Sequence, residues 1–340
     1  MLHRMFLLSK CSNVLEEELD KGDDRQPSVR RQLMVTRSPI LCNAIKVAYL
    51  KMSKSAEMIE KNDFQMIHTD NDDNDNDNNE KNDNNEKNNN NDNSSPVDFL
   101  SCEAHDYPLI ITFSAFLRML DASMANSFFG TRGNQLENPH QNPRQNGSQF
   151  EGDTYTSISS AIGQEVSFER FANRYFCSFP KPAVKTVGDA CLFYTEIMSH
   201  IKGSLQAMRN QSGFLSREQY VLLSQQRHSI LNEAKREIVY DMFLEYQSMK
   251  GQLCDYDMLD IAAHIYRNGQ LDGAYRGQQM YSVFVDEVQD LSPAHIALFQ
   301  FVCGNPKGYV FAGDTAQTVC FKCTYICIIK PYIFVLQSRK

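Results

Sequence analysis

The sequence reads Tyr-Ser-Val-Phe-Val-Asp-Glu-Val-Gln-Asp at residues 281–290 and Phe-Ala-Gly-Asp-Thr-Ala-Gln-Thr at residues 311–318, and these two stretches decide the fold. Residues 281–285 are aromatic or β-branched apart from one serine, which predicts a short buried strand of a parallel sheet. Asp286 and Glu287 follow directly. Open α/β sheets bind their ligands at the carboxyl ends of their strands, so this pair is the first candidate site.

The chemistry of the site follows from the two carboxylates. In nucleotide hydrolysis, Mg²⁺ bridges phosphate oxygens and is held by an aspartate at a strand end, often through water. A neighbouring carboxylate can orient or deprotonate the attacking water. Asp286 fits the first role and Glu287 the second. The alternative is a solvated acidic turn, but the whole Asp-Glu-Val-Gln-Asp string after an apolar strand favours a site.

The stretch after the acidic pair predicts a helix and a second strand. Ser292 and Pro293 are suited to begin the helix, and residues 309–312 are suited to form the strand. Gly313 allows a tight backbone path beside a phosphate, and the Gln317 amide could sense the attacking water. An inert strand–helix–strand unit is the alternative.

The beginning of the chain predicts one more strand–helix unit. Gln32-Leu33-Met34-Val35-Thr36 is apolar enough for a short buried strand, and residues 1–9 have the character of the end of a helix. Ser38 and Pro39 fit the N-cap and first position of a following helix. Its apolar positions recur with helical spacing at Leu41, Ala44, Ile45, Ala48, Tyr49 and Met52.

From Leu109 to about Gly273 the spacing of apolar residues is mainly helical. Ile110 begins the first amphipathic face, and a polar stretch at 130–153 predicts a surface loop. Further faces are predicted at 168–176, 194–205, 233–249 and 257–266. The fold class is therefore α/β, with a large, mainly helical subdomain inserted between strands of a parallel sheet.

Composition excludes several classes of protein. The 340 residues are 42% apolar, enough for a folded core, and the net charge of −8 argues against binding nucleic acid by bulk charge alone. Residues 69–95 are almost entirely Asn and Asp, which predicts disorder rather than Ca²⁺ loops.

The 10 cysteines predict reduced thiols in a nuclear or cytoplasmic protein. No apolar run is long enough to predict a membrane span.

Three cysteines near the end of the sequence are a candidate metal site. Cys320, Cys323 and Cys327 supply one Cys-x-x-Cys pair and a third thiol, which falls short of the four ligands of a structural zinc site. His264 and His295 do not complete the set by any visible pattern. We therefore predict no zinc site here.

Several motifs resemble those of the UvrD-like superfamily 1 helicases. Residues 286–290 resemble their motif II, and Gly313-Asp314 with Gln317 resembles motif III. Residues 33–36 are similar to motif Ia, and residues 254–259 to a segment that ends the helical insertion of these proteins. The likeness extends to the ATP-binding region of large eukaryotic proteins related to TPR and ankyrin repeat-containing protein 1.

The resemblance implies a P-loop NTPase (RecA-like) sheet that binds ATP and Mg²⁺. It implies cofactor contacts at Asp286, Gln289, Gly313 and Asp314, and catalytic roles for Glu287 and Gln317. Single-stranded DNA or RNA is expected at Thr36, Arg37 and Ser38. The implied parts of the chain are a core segment (1–60), a disordered linker (61–97), the helical insertion (98–275), a second core segment (276–319) and a divergent tail (320–340).

The sequence departs from this family in two ways. It contains no Gly-Lys dipeptide, although a phosphate-binding loop needs Gly-Lys-Ser/Thr, and the arginines of a second motor domain are also missing. We therefore expect a fragment of an ATP-dependent helicase or translocase that is inactive alone. Two alternatives stay open: a non-catalytic scaffold or regulator with the same fold, and a chain that is not a stable protein.

Overall fold

The computed structural model describes residues 1–7, 31–67, 96–130, 163–181, 184, 189–226, 231–313 and 333–336. Its centre is a five-stranded sheet in which every neighbouring pair is parallel. The strands are β1 (Gln32–Thr36), β2 (Leu109–Thr112), β3 (Ser282–Val285), β4 (Tyr309–Gly313) and β5 (Ile333–Leu336). Their order across the sheet is β2-β1-β3-β4-β5. The α/β class with a parallel sheet is therefore confirmed.

Strands β1 to β4 are buried on both faces because alternate side chains enter two separate cores. On one face, Leu33 and Val35 pack into the main apolar core, together with the residues of β2, β3 and β4 that lie in register with them. On the other face, Met34, Ile110, Phe284 and Val310 pack with Met5, Cys42 and Ile45. This two-sided burial explains why the strands are apolar throughout rather than alternating.

Helices cover both faces of the sheet. They include α1 (Pro39–Ile67), α2 (Phe113–Ala122), α3 (Phe168–Arg170), α4 (Ala190–Thr195), α5 (Leu205–Arg209), α6 (Arg217–Gln226), α7 (Glu233–Gln252), α8 (Met258–Gly269), α9 (Pro293–Ala297) and α10 (Phe299–Val302). Helix α3 continues through a π-turn and a 3-10 turn to Ser178, and α4 continues as a π-helix to Ile201. As predicted, Ser38 caps α1, since its hydroxyl accepts the Leu41 N–H at 3.3 Å.

A second apolar core lies among the helices between β2 and β3. It is built from aromatic and aliphatic side chains of α3, α4, α6, α7 and the turns that extend them, including Phe171, Phe193, Tyr220 and Phe243. The amide of Ala294 donates to the carbonyl of Gly203 at 2.9 Å. Because Ala294 belongs to α9, this bond joins the helical part of the chain to the helix that follows the acidic pair.

The structure corrects two sequence predictions. Ile110 lies in β2 rather than in a helix, so the stretch 98–275 contributes a strand to the sheet. Helix α1 continues to Ile67, past the predicted start of the disordered linker at residue 61. Ile333–Leu336 pairs with β4, and the divergence of residues 320–340 from the family stays a prediction. The Asn/Asp-rich tract at 69–95, most of the predicted loop at 130–153 and Cys320, Cys323 and Cys327 lie outside the described residues.

Among the described residues, none of the helices combines the length and the apolar character that crossing a membrane requires.

Candidate nucleotide site

Three strand ends meet at the carboxyl edge of the sheet. Strands β1, β3 and β4 are neighbours and parallel, so the residues that follow them share one edge. The amide of Asp286 donates to the carbonyl of Val35 at 2.9 Å, which sets the end of β3 beside the end of β1. The acidic pair is therefore held by strand geometry rather than by a free loop.

Asp286 is a half-buried carboxyl group. Its Oδ1 accepts the N–H of Glu287 at 3.1 Å. Burial raises the pKa of Asp286 above its usual value; the Glu287 N–H and the Met1 ammonium act in the opposite direction, and the negative charge of Glu287 adds to the increase. Two crowded carboxyl groups of this kind are stabilised in their charged form by a cation.

Glu287 adopts a left-handed backbone conformation, with φ of 51° and ψ of 43°. Such a conformation is uncommon for a residue other than glycine and occurs often at functional sites. It turns the chain sharply between β3 and the 3-10 turn Val288–Asp290. The Gln289 amide nitrogen donates to Glu287 Oε2, so the side chain of Gln289 holds the Glu287 carboxylate.

Gly313 lies close to the loop that follows β3. A Cβ atom at this position would be 2.5 Å from Gln289 Oε1 and 2.9 Å from Val288 Cγ1, both too close for contact. The absence of a side chain therefore lets β4 end against Gln289. The other two predicted residues of this loop, Asp314 and Gln317, lie outside the described residues.

We expect Gly313→Ala to lower the free energy of unfolding by about 1–3 kcal/mol, since the new methyl group overpacks the loop and displaces Gln289 from Glu287. Urea denaturation measures the effect. The control is Gly251→Ala, because Gly251 lies in α7 with nothing within 4 Å of an added Cβ. Helix propensity predicts that this control gains about 0.5–1 kcal/mol. Equal stability of the two variants would contradict the close packing at Gly313.

The predicted nucleic-acid residues follow β1 at the same edge. Arg37 is exposed, and its guanidinium donates to the carbonyl of Asp290, which links this loop to the acidic loop. Ser38 caps α1 with its hydroxyl, and Thr36 is 1% exposed. Of the three, Arg37 is the side chain available to a phosphate.

His295 lies in this region and has no predicted role in the site. It lies in α9, and neither ring nitrogen has a hydrogen-bond partner within the described part of the chain. Burial lowers its pKa to about 3, and the positive charge of Arg37 contributes to the decrease. The sequence signal was its position in the first turn of a helix between two apolar residues, Ala294 and Ile296.

The residues present fit Mg²⁺ better than they fit the phosphates of ATP. Asp286 and Glu287 offer the hard oxygen ligands that Mg²⁺ prefers. Among the described residues no group of three or more His, Cys, Asp or Glu could hold a metal, so protein ligands alone do not complete a cage there. Mg²⁺ is commonly bound by one or two carboxylates together with substrate phosphates. The usual lysine donor for those phosphates is missing, since the sequence has no Gly-Lys dipeptide.

Comparison with known proteins agrees with this geometry. The sequence profile of the UvrD/REP helicase N-terminal domain matches residues 9–321. The chain belongs to the UvrD/REP helicase family. Membership implies a P-loop NTPase fold, and it confirms the predicted family resemblance.

A curated relative is also similar to this chain. Human TPR and ankyrin repeat-containing protein 1 is 26% identical over 238 residues, which cover 63% of this chain and 8% of that protein. The matched part of the chain thus spans less than a tenth of the length of this relative. No solved structure matches the chain significantly.

Proposed function

We propose that this chain is a fragment of a UvrD-like ATP-dependent helicase or translocase, a superfamily 1 motor whose ATP hydrolysis drives unwinding of nucleic acid. One observation carries the proposal: the acidic loop and the loop after β1 are joined by the Arg37–Asp290 hydrogen bond. A displacement of the acidic loop at the nucleotide site would therefore be transmitted directly to the loop after β1, where nucleic acid is proposed to bind.

Each residue of the edge has a proposed role. Asp286 holds Mg²⁺, Glu287 orients the attacking water, and Gln289 fixes the Glu287 carboxylate. Gly313 lies against the nucleotide, and the family resemblance assigns a cofactor contact to Asp314 and a catalytic role to Gln317. Thr36, Arg37 and Ser38 contact single-stranded DNA or RNA. ATP with Mg²⁺ supplies the phosphate whose transfer to water these residues promote.

The proposed architecture is an incomplete RecA-like core with an inserted helical subdomain. The five-stranded sheet and the helices that cover it form the core, and the helices around the second apolar core form the insertion. We propose that the chain alone hydrolyses no ATP, since the sequence has no Gly-Lys dipeptide to supply the phosphate donors of a Gly-Lys-Thr loop.

Binding of a fluorescent ATP analogue with and without Mg²⁺ tests the nucleotide part of the proposal. We expect weak binding that depends on Mg²⁺, and a decrease of about tenfold for Asp286→Asn because the carboxylate ligand is lost. Glu287→Gln should bind within about threefold of the unaltered chain, since the carboxylate acts on water rather than on binding. The control is Asp272→Asn, an exposed acid outside the strand ends.

The outcomes separate the proposal from its alternative. An affinity for the ATP analogue that changes neither on removal of Mg²⁺ nor in Asp286→Asn would contradict the proposal that Asp286 holds Mg²⁺. Hydrolysis of ATP that Glu287→Gln abolishes would contradict the proposed inactivity of the chain alone. The absence of any Mg²⁺-dependent binding would favour a non-catalytic scaffold or regulator with the helicase fold, which the missing Gly-Lys dipeptide already supports.

A further inference from the structure

The Thr36 hydroxyl is a buried polar group at the carboxyl end of β1. The side chain is 1% exposed, and its Oγ1 atom has no hydrogen-bond partner among the described residues. A buried hydroxyl without a partner costs free energy relative to an apolar group of the same shape. Its register partner on β2, Thr112, uses its own hydroxyl to accept the Ala115 N–H at the start of α2. Within the described part of the chain, the Thr36 hydroxyl has no comparable structural use.

Strand alternation places the Thr36 side chain on the same face of the sheet as the Asp286 carboxyl group. Met34 of β1 and Phe284 of β3 are paired in register, and both pack into the core on that face. Side chains two residues further along a strand return to the same face, which gives Thr36 and Asp286. The Met1 ammonium agrees with this placement, since Met1 packs against that core and its charge opposes the increase that burial causes in the pKa of Asp286.

The backbone ladder between β1 and β3 brings these two residues side by side. Val35 and Val285 are paired, and the Asp286 N–H donates to the Val35 carbonyl at 2.9 Å, so the parallel ladder continues to Asp286. Neighbouring strands lie about 5 Å apart, so the Cβ atoms of Thr36 and Asp286 are separated by about this distance. A rotation about the Cα–Cβ bond of Asp286 then brings a carboxylate oxygen within hydrogen-bond distance of the hydroxyl.

The Asp286 carboxylate has an oxygen available for this bond. Its Oδ1 accepts the Glu287 N–H at 3.1 Å, and its Oδ2 accepts no hydrogen bond from another described residue. Carboxylates that hold a metal ion are in turn hydrogen-bonded, which orients the ligating oxygen. A threonine hydroxyl donates one hydrogen and can supply such a bond to a charged carboxylate.

We propose that Thr36 is a positioning residue of the metal site: its hydroxyl donates to the Asp286 carboxylate and fixes the rotamer in which Asp286 holds a divalent cation. The inference rests on the proposed function, because it assumes that Asp286 binds Mg²⁺. Thr36 does not contact the cation itself. Its main chain leads into the loop after β1, so the residue that orders the metal ligand also begins the proposed nucleic-acid loop.

Binding of Mn²⁺ alone, a paramagnetic substitute for Mg²⁺, tests this role when it is measured by water proton relaxation. Thr36→Val should lower the Mn²⁺ affinity about tenfold, within the range for removing a hydrogen-bond partner of a metal ligand. Thr36→Ser keeps the hydroxyl and should retain most of the affinity. Urea denaturation without metal should find Thr36→Val at least as stable as the unaltered chain, since the change removes an unpartnered buried hydroxyl.

Ser282→Ala is the matched control. Ser282 lies on the same face of β3 as Phe284, and its hydroxyl is also buried without a hydrogen-bond partner among the described residues. It begins the strand that Asp286 follows, so Ser282→Ala should bind Mn²⁺ like the unaltered chain. The double variant of Thr36→Val and Asp286→Asn should bind no more weakly than Asp286→Asn alone, because the hydroxyl acts through the carboxylate.

Asp286→Asn separates failure of this inference from failure of the proposed function. If Asp286→Asn weakens Mn²⁺ binding and Thr36→Val does not, the positioning role is overturned and the metal role of Asp286 stands. If Asp286→Asn leaves the affinity unchanged, both are overturned. Equal losses in Thr36→Val and Thr36→Ser, or an equal loss in Ser282→Ala, also overturn the inference, because the hydroxyl would then not decide the affinity. If the unaltered chain binds no Mn²⁺, the inference is overturned, and binding of the ATP analogue decides the proposed function independently.

Discussion

Replacing Lys202 with methionine should lower the free energy of unfolding by about 3–5 kcal/mol, the range for breaking a buried ion pair. The Lys202 ammonium is 1% exposed and lies 2.6 Å from both carboxylate oxygens of Asp257 and 2.6 Å from Asp260 Oδ1. Its loss leaves two carboxylates with one cation, Lys250. Urea denaturation of the two chains at pH 7 measures the difference.

The reason for the large effect is the completeness of the cluster. Lys250 donates to Asp257 at 2.7 Å and to Asp260 at 2.6 Å, so two cations face two carboxylates in the interior. Burial alone would raise the pKa of Asp257, but Lys202 and Lys250 hold it well below its usual value. Asp257 also caps α8 through the Leu259 and Asp260 amides, so its environment fixes the start of that helix.

An exposed ion pair in the same helical region provides the control. The guanidinium of Arg217 pairs with Glu237 at 2.8 Å and with Asp241 at 2.6 Å, and those carboxylates are 46% and 69% exposed. Arg217→Met should therefore cost no more than about 1 kcal/mol. Similar losses for the two variants would contradict the special cost of the buried cluster.

The stability of the chain should fall more steeply between pH 6.5 and pH 4.5 than the stability of His295→Leu. The pKa of His295 is lowered from 6.5 to about 3 in the folded chain, so only the unfolded chain takes up this proton across that interval. Protonation then favours the unfolded chain as the pH falls, so the full free energy of unfolding is reached only above pH 6.5. At pH 4.5 the unaltered chain should have lost about 2–3 kcal/mol of its free energy of unfolding relative to His295→Leu.

Urea denaturation of both chains at intervals from pH 7.5 to 4.5 isolates this group, because the other acids titrate alike in the two chains. The difference in unfolding free energy should be constant above pH 7 and should change in favour of His295→Leu below it. His105→Gln serves as the control, since the His105 side chain is 74% exposed. Parallel pH profiles for the unaltered chain and His295→Leu would show that the imidazole is not held neutral by the fold.

Local pattern was sufficient for three of the strands. Gln32–Thr36, Ser282–Val285 and Tyr309–Gly313 are apolar runs bounded by polar residues or glycine, and the structure places a strand at each. The pattern failed at Leu109–Thr112, which leads without a break into α2. Ile110 and Phe113 have a spacing that suits a helix as well as a strand, and pairing with β1 decides between them.

In the candidate site, too, some features follow from the local sequence and others from the tertiary structure. The sequence alone determined that a carboxylate pair follows a buried strand and that a glycine-ended strand comes next, because strand burial and turn chemistry are local properties. Only the tertiary structure decided that Gly313 ends against Gln289, that Arg37 is bonded to the acidic loop, and that the His295 imidazole is buried without a hydrogen-bond partner among the described residues. Such relations depend on the order of strands in the sheet, which brings together residues more than 250 positions apart. The spacing of residues along a sequence does not specify that order.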